Sequence, residues 1–228
     1  MTTTLAAGPA TRSVERALGL LAWVCDEGAS SLSDCARSLA LSPSTALRLL
    51  RTLEGGGFVR RDEDGMFHAG GRIIRIGAAA LGRHELLKAA EPALRRIVAL
   101  SGESSYLSIR GPGKTSLYIG MVEGTHSIRH AGWVGRSLPL DGTAVGAALR
   151  GEVPKSGYVF VRSLVEADVA AVAAPIYWPG GIAGALNVVG PSYRIGAGQA
   201  KKLGEVVSRE AKALTEQLSN HSNDARWR

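Results

Sequence analysis

The 228-residue sequence contains only two cysteines, Cys25 and Cys35, and only 5% aromatic residues. A zinc site normally needs four nitrogen or sulfur ligands, and no histidine neighbours either cysteine at a ligand spacing. His126 and His130 are four residues apart, but the sequence around them favours strand or loop over helix, which argues against a metal pair. We therefore expect both thiols to be buried as small apolar groups, and we predict no metal site and no cofactor.

The chain also lacks the usual signals of catalysis. Thiol chemistry needs a nucleophilic and a resolving thiol, yet no cysteine follows Cys35. Ser104 and Ser105 lack the Gly-x-Ser-x-Gly elbow of a serine hydrolase, and no ordered set of Ser, Asp and His emerges. We predict that the protein is not an enzyme and that it has no catalytic residues.

Long apolar runs are missing as well. None approaches the roughly 18 residues that would suggest a membrane span. The opening segment MTTTLAAGPATR has no charged region followed by an apolar stretch, so it does not resemble a signal peptide. We expect residues 1–11 to be disordered, no membrane partner and a cytoplasmic location. The net charge of +7 suits a polyanion, although basicity can equally serve solubility.

The segment from Leu32 to Phe67 carries an ordered set of local signals. Ser31 and Asp34 have the spacing of a capping box, which predicts a helix from Leu32 to about Leu41. Ser42 and Pro43 then form a cap and a first helical position, which predicts a second helix from Pro43 to about Glu54.

This second helix has one apolar and one polar side. Ala46, Leu49, Leu50 and Leu53 follow the spacing of a buried stripe. The other side carries hydroxyls and guanidinium groups but no acid, and it consists of Ser44, Thr45, Arg48, Arg51 and Thr52.

A hairpin follows the three glycines at 55–57, which stop the helix. Residues 58–61 and 66–68 are strand-like and flank Asp62-Glu63-Asp64-Gly65, a strong hairpin signal. An earlier helix, which Ser13 can cap, is expected to pack against the core of this small domain through one apolar stripe: Val14, Ala17, Leu18, Leu21 and Val24.

These elements together predict a winged helix-turn-helix, in which the second helix enters the major groove of DNA. The polar face of one isolated helix is usually only solvated, so the prediction depends on the ordered set. The candidate DNA-binding residues are Ser42, Ser44, Thr45, Arg48, Arg51, Arg60 and Arg61.

The rest of the chain alternates helical and strand patterns. A helical period runs from Gly71 to Ala90 and predicts a linker helix, which could transmit a signal or merely pack. A further helix is expected at 92–100, followed by strands at 106–109, 116–122, 169–176 and 182–189 and a final helix at 199–218. The last two strands should be antiparallel neighbours, and the fold class is α+β.

Several motifs resemble the IclR family of bacterial transcriptional regulators. They are Ser13 to Leu18, LALSPSTALRLLRTLEGGGFVRRD, RRIVALSGESSYL, LPLDGTAVGAA and AAPIYWPGGIAGALNVVGP, in the order that this family uses. The resemblance covers nearly the whole chain. It implies a DNA-binding domain at 12–71, a linker helix at 72–90, a GAF-like effector-binding domain with an antiparallel sheet at 91–219, and a tail at 220–228.

The resemblance also implies a pocket for a small organic or aromatic acid. The turn at 142–144 would face it, with the backbone donors of Ala144 and Val145 and the hydroxyl of Thr143 beside the ligand. Capping of the short helix is an equally good explanation of Thr143. Asn187 stands where the family often places a serine that touches the ligand.

The chain departs from the family after Arg150, because Gly157 and Tyr158 follow within eight residues where relatives insert a few tens. Either the pocket is open, or a partner subunit closes it, or sensing has been lost. We predict a repressor that binds double-stranded operator DNA as a homodimer or tetramer and responds to a small acid. The first alternative is a DNA-binding protein whose second domain only oligomerises. The second is a GAF-type sulfoxide reductase, but no cysteine follows Cys35 to supply its chemistry.

Overall fold

The computed structural model describes residues 11–162 and 166–220 of the chain. The chain forms two compact units, Met1–Arg83 and His84–Arg228. The expected disorder at the N-terminus falls, apart from Thr11, outside the described residues, as does the tail beyond Asn220.

The first unit contains the predicted helices and hairpin. Its elements are α1 (Arg12–Glu27), α2 (Leu32–Ser38), α3 (Pro43–Gly55), β1 (Val59–Arg61), β2 (Phe67–Ala69) and α4 (Gly71–Gly82). The side chain of Ser31 accepts a hydrogen bond from the amide of Asp34, and that of Ser42 accepts one from the amide of Thr45. Both predicted caps are therefore formed, and the winged helix-turn-helix is confirmed.

Helix α2 ends three residues earlier than the sequence predicted. The amide of Leu41 donates to the carbonyl of Ala36, and the amide of Ala40 donates to that of Arg37. This pair of bonds is the Schellman termination, which requires a left-handed residue at its centre. Ala40 takes that role with φ of 50°.

The buried face of α1 differs from the predicted stripe. Leu20, Leu21 and Val24 are buried in the core with Cys35 and Leu50, whereas Val14 is 55% and Leu18 is 59% exposed. Helix α1 has apolar residues on two overlapping faces, and packing against α2 and α3 selects one of them. Thr11 occupies the N-cap instead of Ser13, and Cys25 is exposed, contrary to expectation.

The segment predicted as one linker helix is two helices. Helix α4 ends at Gly82, His84 is extended, and α5 (Glu85–Ser101) begins immediately afterwards. Pro92 lies inside α5, although the sequence placed it in a first turn. The helix continues through the proline because Leu86, Ala90, Leu94 and other apolar residues on one face are buried. The boundary between the two units therefore falls within the predicted linker.

The second unit is built on one antiparallel sheet. After α5 come β3 (Ser104–Arg110), β4 (Thr115–Val122), β5 (Ser137–Pro139), α6 (Ala144–Arg150), β6 (Val159–Arg162), β7 (Val169–Trp178), β8 (Gly181–Pro191) and α7 (Ala197–Asn220). The six strands have the order β5-β4-β3-β8-β7-β6. The predicted antiparallel pair β7–β8 is confirmed, and so is the α+β fold class. The described helices include none long and apolar enough to cross a membrane.

The sheet has helices on both faces. On one face lie α5 and α7. Helix α5 comes so close to Gly184 that a Cβ atom there would lie 3.1 Å from the Leu86 side chain. Helix α7 buries Leu203, Val207, Leu214 and Leu218. On the other face α6 packs its residues 144, 145, 148 and 149 against Tyr106, Ala173, Ala185 and Val189. A Cβ at Gly146 would lie 1.8 Å from the carbonyl oxygen of Leu140, so only glycine permits this close approach.

Candidate nucleic-acid interface and ligand pocket

The outer face of α3 is exposed and positively charged. Ser44, Arg48 and Arg51 are exposed, while Ala46 and Leu50 on the opposite side are fully buried. Neither guanidinium group has a hydrogen bond or an ion pair with any residue in the described ranges. Both are therefore available to an external anion or a base edge.

The first turn of α3 carries a cluster of hydroxyl groups. The Ser42 Oγ accepts from the Thr45 amide at 3.3 Å, and it lies 3.1 Å from the Ser44 Oγ and 2.9 Å from the Thr45 Oγ1. The cluster fixes the helix start and places these groups at the end of the helix that meets base edges in helix-turn-helix complexes.

The two arginines of the hairpin have different surroundings. The Nε of Arg61 donates to the carbonyl of Gly65 at 3.1 Å, and its guanidinium lies 5.5 Å from the centre of the Phe67 ring. Arg60 is exposed and has no such partner among the described residues. Arg61 therefore holds the turn of the wing, whereas the guanidinium group of Arg60 is exposed to solvent without a partner among the described residues.

Asp62 and His68 anchor the base of the wing. The His68 Nε2 lies 2.6 Å from the Asp62 Oδ2, and its Nδ1 lies 2.9 Å from the carbonyl oxygen of Gly28. The hydrogen bond with His68, followed by the one from the Met66 amide, lowers the pKa of Asp62. These contacts tie the wing to the α1–α2 connection.

Arg72 is a further positioning residue that the sequence analysis did not identify. Its Nη1 donates to the carbonyl of Gly56 at 2.9 Å, and its guanidinium lies 5.2 Å from the centre of the Phe58 ring. It fixes the turn between α3 and β1. No local sequence pattern indicates this contact, because it joins residues 16 positions apart.

The second unit has a small cavity between the sheet and α6. Its volume is about 30 Å³, and it is lined by Tyr118, Trp133, Leu138, Thr143, Ala144, Val145, Val161, Val169 and Ala171. A cavity of this size holds about one or two water molecules. Three of the four predicted effector residues, Thr143, Ala144 and Val145, line it.

Aromatic side chains pack closely at this cavity. Tyr118 lies edge to face with Trp133, with ring centres 5.1 Å apart, and Tyr106 lies 5.5 Å from Tyr118. The hydroxyl of Tyr106 is 2.7 Å from the Nδ1 of His130. Burial raises the pKa of Tyr106 and lowers the pKa of His130, so it favours the neutral form of both groups.

The hydroxyl of Thr143 is occupied by contacts within the protein. It donates to the carbonyl of Pro139 at 2.9 Å, lies 3.3 Å from that of Leu140, and accepts from the amide of Gly146 at 3.0 Å. This geometry is that of a helix cap, one of the two roles considered for it. A ligand contact by the Thr143 hydroxyl remains a prediction.

Asn187 is buried and does not line the cavity. It is 1% exposed, and its Nδ2 donates to the Oγ of Ser108 at 2.7 Å. Its Oδ1 has no hydrogen-bond partner among the described residues. The structure thus brings three of the four predicted residues to one cavity and does not bring Asn187 to it.

Most of the cavity wall is formed by side chains that the sequence did not indicate. Tyr118 and Trp133 come from β4 and from the connection to β5, and Val161, Val169 and Ala171 come from β6 and β7. Strand alternation could have grouped the residues within each strand. Only the order of strands in the sheet brings these groups together.

Two family models match the chain. The model of the IclR helix-turn-helix domain matches residues 13–63, and that of the bacterial transcriptional regulator IclR C-terminal domain matches residues 78–154. The chain belongs to the IclR family. The second match ends close to the short connection that follows α6.

Curated relatives include HTH-type transcriptional repressors named AllR. The Escherichia coli K12 protein is 34% identical over 140 residues, which is 60% of this chain and 51% of that protein. The Klebsiella pneumoniae protein is 34% identical over 152 residues, which is 66% of this chain and 56% of that protein. The chain spans about half the length of the curated relatives it matches.

Solved structures share the fold. An IclR regulator from Alicyclobacillus acidocaldarius has a TM-score of 0.77 at 21% identity, covering 91% of this chain and 99% of that chain. An IclR homologue from Microbacterium hydrocarbonoxydans, complexed with 4-hydroxybenzoate, has a TM-score of 0.73 at 21% identity, covering 90% of this chain and 98% of that chain.

Proposed function

We propose that this protein is a transcriptional repressor that binds operator DNA through α3 and the β1–β2 wing. The observation that best supports this proposal is the outer face of α3. There Arg48 and Arg51 are exposed and have no partner among the described residues, and the hydroxyls of Ser42, Ser44 and Thr45 lie in the first turn of the same helix. Arg60 and Arg61 extend the positive surface onto the wing. The AllR relatives, which carry the name of repressors, support the direction of regulation.

The test begins by selecting an operator from random duplex DNA with the full chain. The selected duplex is then titrated with wild-type protein, with Arg48→Ala and with Arg209→Ala, which removes an exposed arginine from α7 in the other unit. We expect only Arg48→Ala to weaken binding. Selection of no sequence, or equal loss in both variants, would contradict DNA reading by α3.

We propose further that the protein binds DNA as a homodimer or a dimer of dimers. One winged helix reads few base pairs, and symmetric pairs are the usual way to double a footprint. The operator should then be two-fold symmetric, with half-sites about one helical turn, roughly 10 base pairs, apart. A single asymmetric half-site protected at saturation would refute this arrangement.

The cavity beside α6 is the proposed effector site. Thr143, Ala144 and Val145 line it, whereas Asn187 does not and is paired in the sheet with Tyr106 and Ala173 of the surrounding apolar cluster. The 4-hydroxybenzoate complex of the Microbacterium relative supports a small organic ligand. Such a ligand would change DNA affinity, and the coupling must be reciprocal between the two sites.

The small volume of the cavity, about 30 Å³, favours a second candidate in which the C-terminal unit only oligomerises. Titration of the DNA complex with small organic molecules separates the two functions. A sensor releases or tightens its DNA in a saturable way, whereas a scaffold leaves the DNA affinity unchanged at every ligand concentration.

A further inference from the structure

The second unit contains another cavity, between α7 and the connection that joins α6 to β6. Its volume is about 170 Å³, and it shares no lining residue with the cavity beside α6. The residues that line it are Val153, Gly157, Pro175, Tyr177, Ser208, Lys212, Thr215 and Glu216. Since a cavity of about 150 Å³ accommodates a molecule the size of benzene, this cavity has room for a small organic ligand.

One wall of this cavity is apolar. Strand β6 pairs with residues 170–173 of β7, whereas β7 continues to Trp178, so this end of β7 has no described strand on that side. Pro175 and Tyr177 lie on this uncovered stretch, and Val153 lies on the short connection between α6 and β6, where the chain departs from its family. The three side chains offer an apolar surface to the body of a ligand.

Another wall is polar and consists of one face of α7. Ser208, Lys212 and Glu216 follow one another at intervals of four residues, so they lie on the same side of the helix. Lys212 and Glu216 have opposite charges at a spacing that permits an ion pair. Neither has a hydrogen bond or an ion pair with any residue in the described ranges. Both charged groups are therefore open to a ligand.

Ser208 is the buried polar group of this wall. It is 5% exposed, and its hydroxyl has no hydrogen-bond partner in the part of the chain that the structure describes. A Cβ atom at Gly157 would lie 2.5 Å from the Ser208 Oγ, so the connection comes close to this hydroxyl. The Thr215 hydroxyl, by contrast, accepts from the Tyr177 amide at 3.0 Å and donates to the Ala211 carbonyl at 2.8 Å. A ligand can supply the hydrogen bond that Ser208 lacks, and a buried polar group gains free energy from such a bond.

The charges of the cavity match a ligand that carries both signs. Its lining residues include one cation, Lys212, and one anion, Glu216. An organic anion would be attracted by Lys212 and repelled by Glu216, and an organic cation the reverse, whereas a zwitterion is attracted by both. The open groove on the same face of α7 adds Glu205 and Arg209, again one residue of each sign.

We propose that this cavity binds a free α-amino acid with an apolar side chain. The carboxylate of the amino acid accepts hydrogen bonds from the Lys212 ammonium and the Ser208 hydroxyl, and its ammonium group donates to the Glu216 carboxylate. Its side chain packs on the apolar wall. The inference goes beyond the proposed function, because this site shares no residue with the operator-binding surface or with the cavity beside α6.

L-Leucine and three smaller or equally shaped molecules test the inference. Isocaproate is leucine without the ammonium group, isoamylamine is leucine without the carboxylate, and glycine has both charges but no side chain. Dissociation constants for the full chain are measured by calorimetry, with competition against leucine for weaker ligands. We expect a dissociation constant below about 1 mM for leucine and at least about fivefold weaker binding of each of the other three. A weaker leucine constant, or a smaller difference for any of the three, would overturn the proposal.

Two neutral variants assign the charged groups. Glu216→Gln keeps the size of the side chain and removes the partner of the ligand's ammonium group. The preference for leucine over isocaproate should therefore fall below about twofold, while the preference over isoamylamine persists. Lys212→Met should have the opposite effect on the two preferences. A merely structural role of these exposed residues would move the thermal midpoint without separating isocaproate from isoamylamine.

Glu205→Gln is the matched control. Glu205 is an exposed glutamate of the same helix, and it lines the open groove but not the cavity. Its variant should keep the leucine affinity and both preferences of the wild type. An equal loss in Glu205→Gln and Glu216→Gln, or a retained preference over isocaproate in Glu216→Gln, would place the ligand elsewhere and overturn the proposal.

Ser208→Ala tests the buried hydroxyl. It should weaken leucine binding roughly fivefold without lowering the thermal midpoint, because the hydroxyl has no partner among the described residues of the free protein. Unchanged leucine affinity would refute the role of Ser208. Specific operator binding by a chain that binds no leucine would refute this inference and leave the proposed function standing.

Discussion

The two arginines of the wing should respond to substitution in different ways. Arg60 is exposed and unpaired among the described residues, whereas Arg61 is bound to the Gly65 carbonyl and lies over Phe67. Arg60→Ala should therefore remove a phosphate contact and leave the fold intact. Arg61→Ala should loosen the wing and lower the free energy of unfolding.

The magnitudes follow from these contacts. Each phosphate contact contributes about 0.9 to the slope of log affinity against log salt, so loss of Arg60 from both wings of a dimer removes about 1.8. Raising salt from about 50 to about 200 mM should then weaken the wild type roughly tenfold more than it weakens Arg60→Ala. For Arg61→Ala, an exposed cation–π contact and one hydrogen bond together amount to about 1 kcal/mol of unfolding free energy.

Fluorescence anisotropy with a selected operator, at four or five salt concentrations, measures the slope, and thermal denaturation measures stability. Arg60→Lys is the control that keeps the charge, and it should retain the slope. These separate roles are refuted if Arg61→Ala reduces the salt slope as much as Arg60→Ala does, or if Arg60→Ala destabilises the protein as much as Arg61→Ala does.

Three other changes test separate features. Arg48→Ala should weaken operator binding tenfold or more, because a bidentate arginine contact discriminates by about 1–3 kcal/mol; its thermal midpoint should stay unchanged, and an unaltered mobility-shift titration would exclude Arg48 from the reading surface. Ala40→Gly should stabilise the protein by about 0.5–1 kcal/mol. It removes the backbone strain of a left-handed alanine at φ of 50°, which outweighs the added conformational entropy of the unfolded chain. A lower denaturation midpoint would contradict this. The hydrogen bond from His68 lowers the pKa of Asp62, so the stability that Asp62 contributes is complete at neutral pH and is lost as the pH falls below about 4. Asp62→Asn should therefore reduce the loss of stability at acid pH. An unchanged loss would show that the Asp62–His68 pair is not coupled to folding.

The helix caps and the hairpin turn of the first unit can be predicted from sequence because each depends on only a few neighbouring residues. Ser31 and Ser42 cap the helices that their spacing predicted, and the Asp-Gly turn joins the predicted strands. The buried stripe of α1 could not be chosen in this way, since Val14 and Leu18 satisfy the helical period as well as Leu20 and Val24 do. The choice depends on which face meets α2 and α3.

The end of α2 and the path of α5 also could not be predicted from local sequence patterns. Ala40 adopts a conformation that sequence assigns to glycine, and Pro92 occupies a helix interior that sequence excludes. Both conformations are locally unfavourable in free energy, and the burial of apolar side chains elsewhere in each helix offsets this. The extent of that burial depends on the tertiary fold. For the same reason, the linker helix that the sequence predicts is longer than the helix in the structure.

The sequence by itself determined the α+β class, the winged helix-turn-helix, the antiparallel β7–β8 pair and the family, because these depend on hydrophobic period, caps and turns along the chain. Tertiary structure alone decided which arginines are free and what surrounds the cavity. Arg61 meets its own turn while Arg60 does not, and Tyr118, Trp133 and Val161 meet through a strand order of β5-β4-β3-β8-β7-β6. Such contacts join residues distant in the chain, and no local pattern records them.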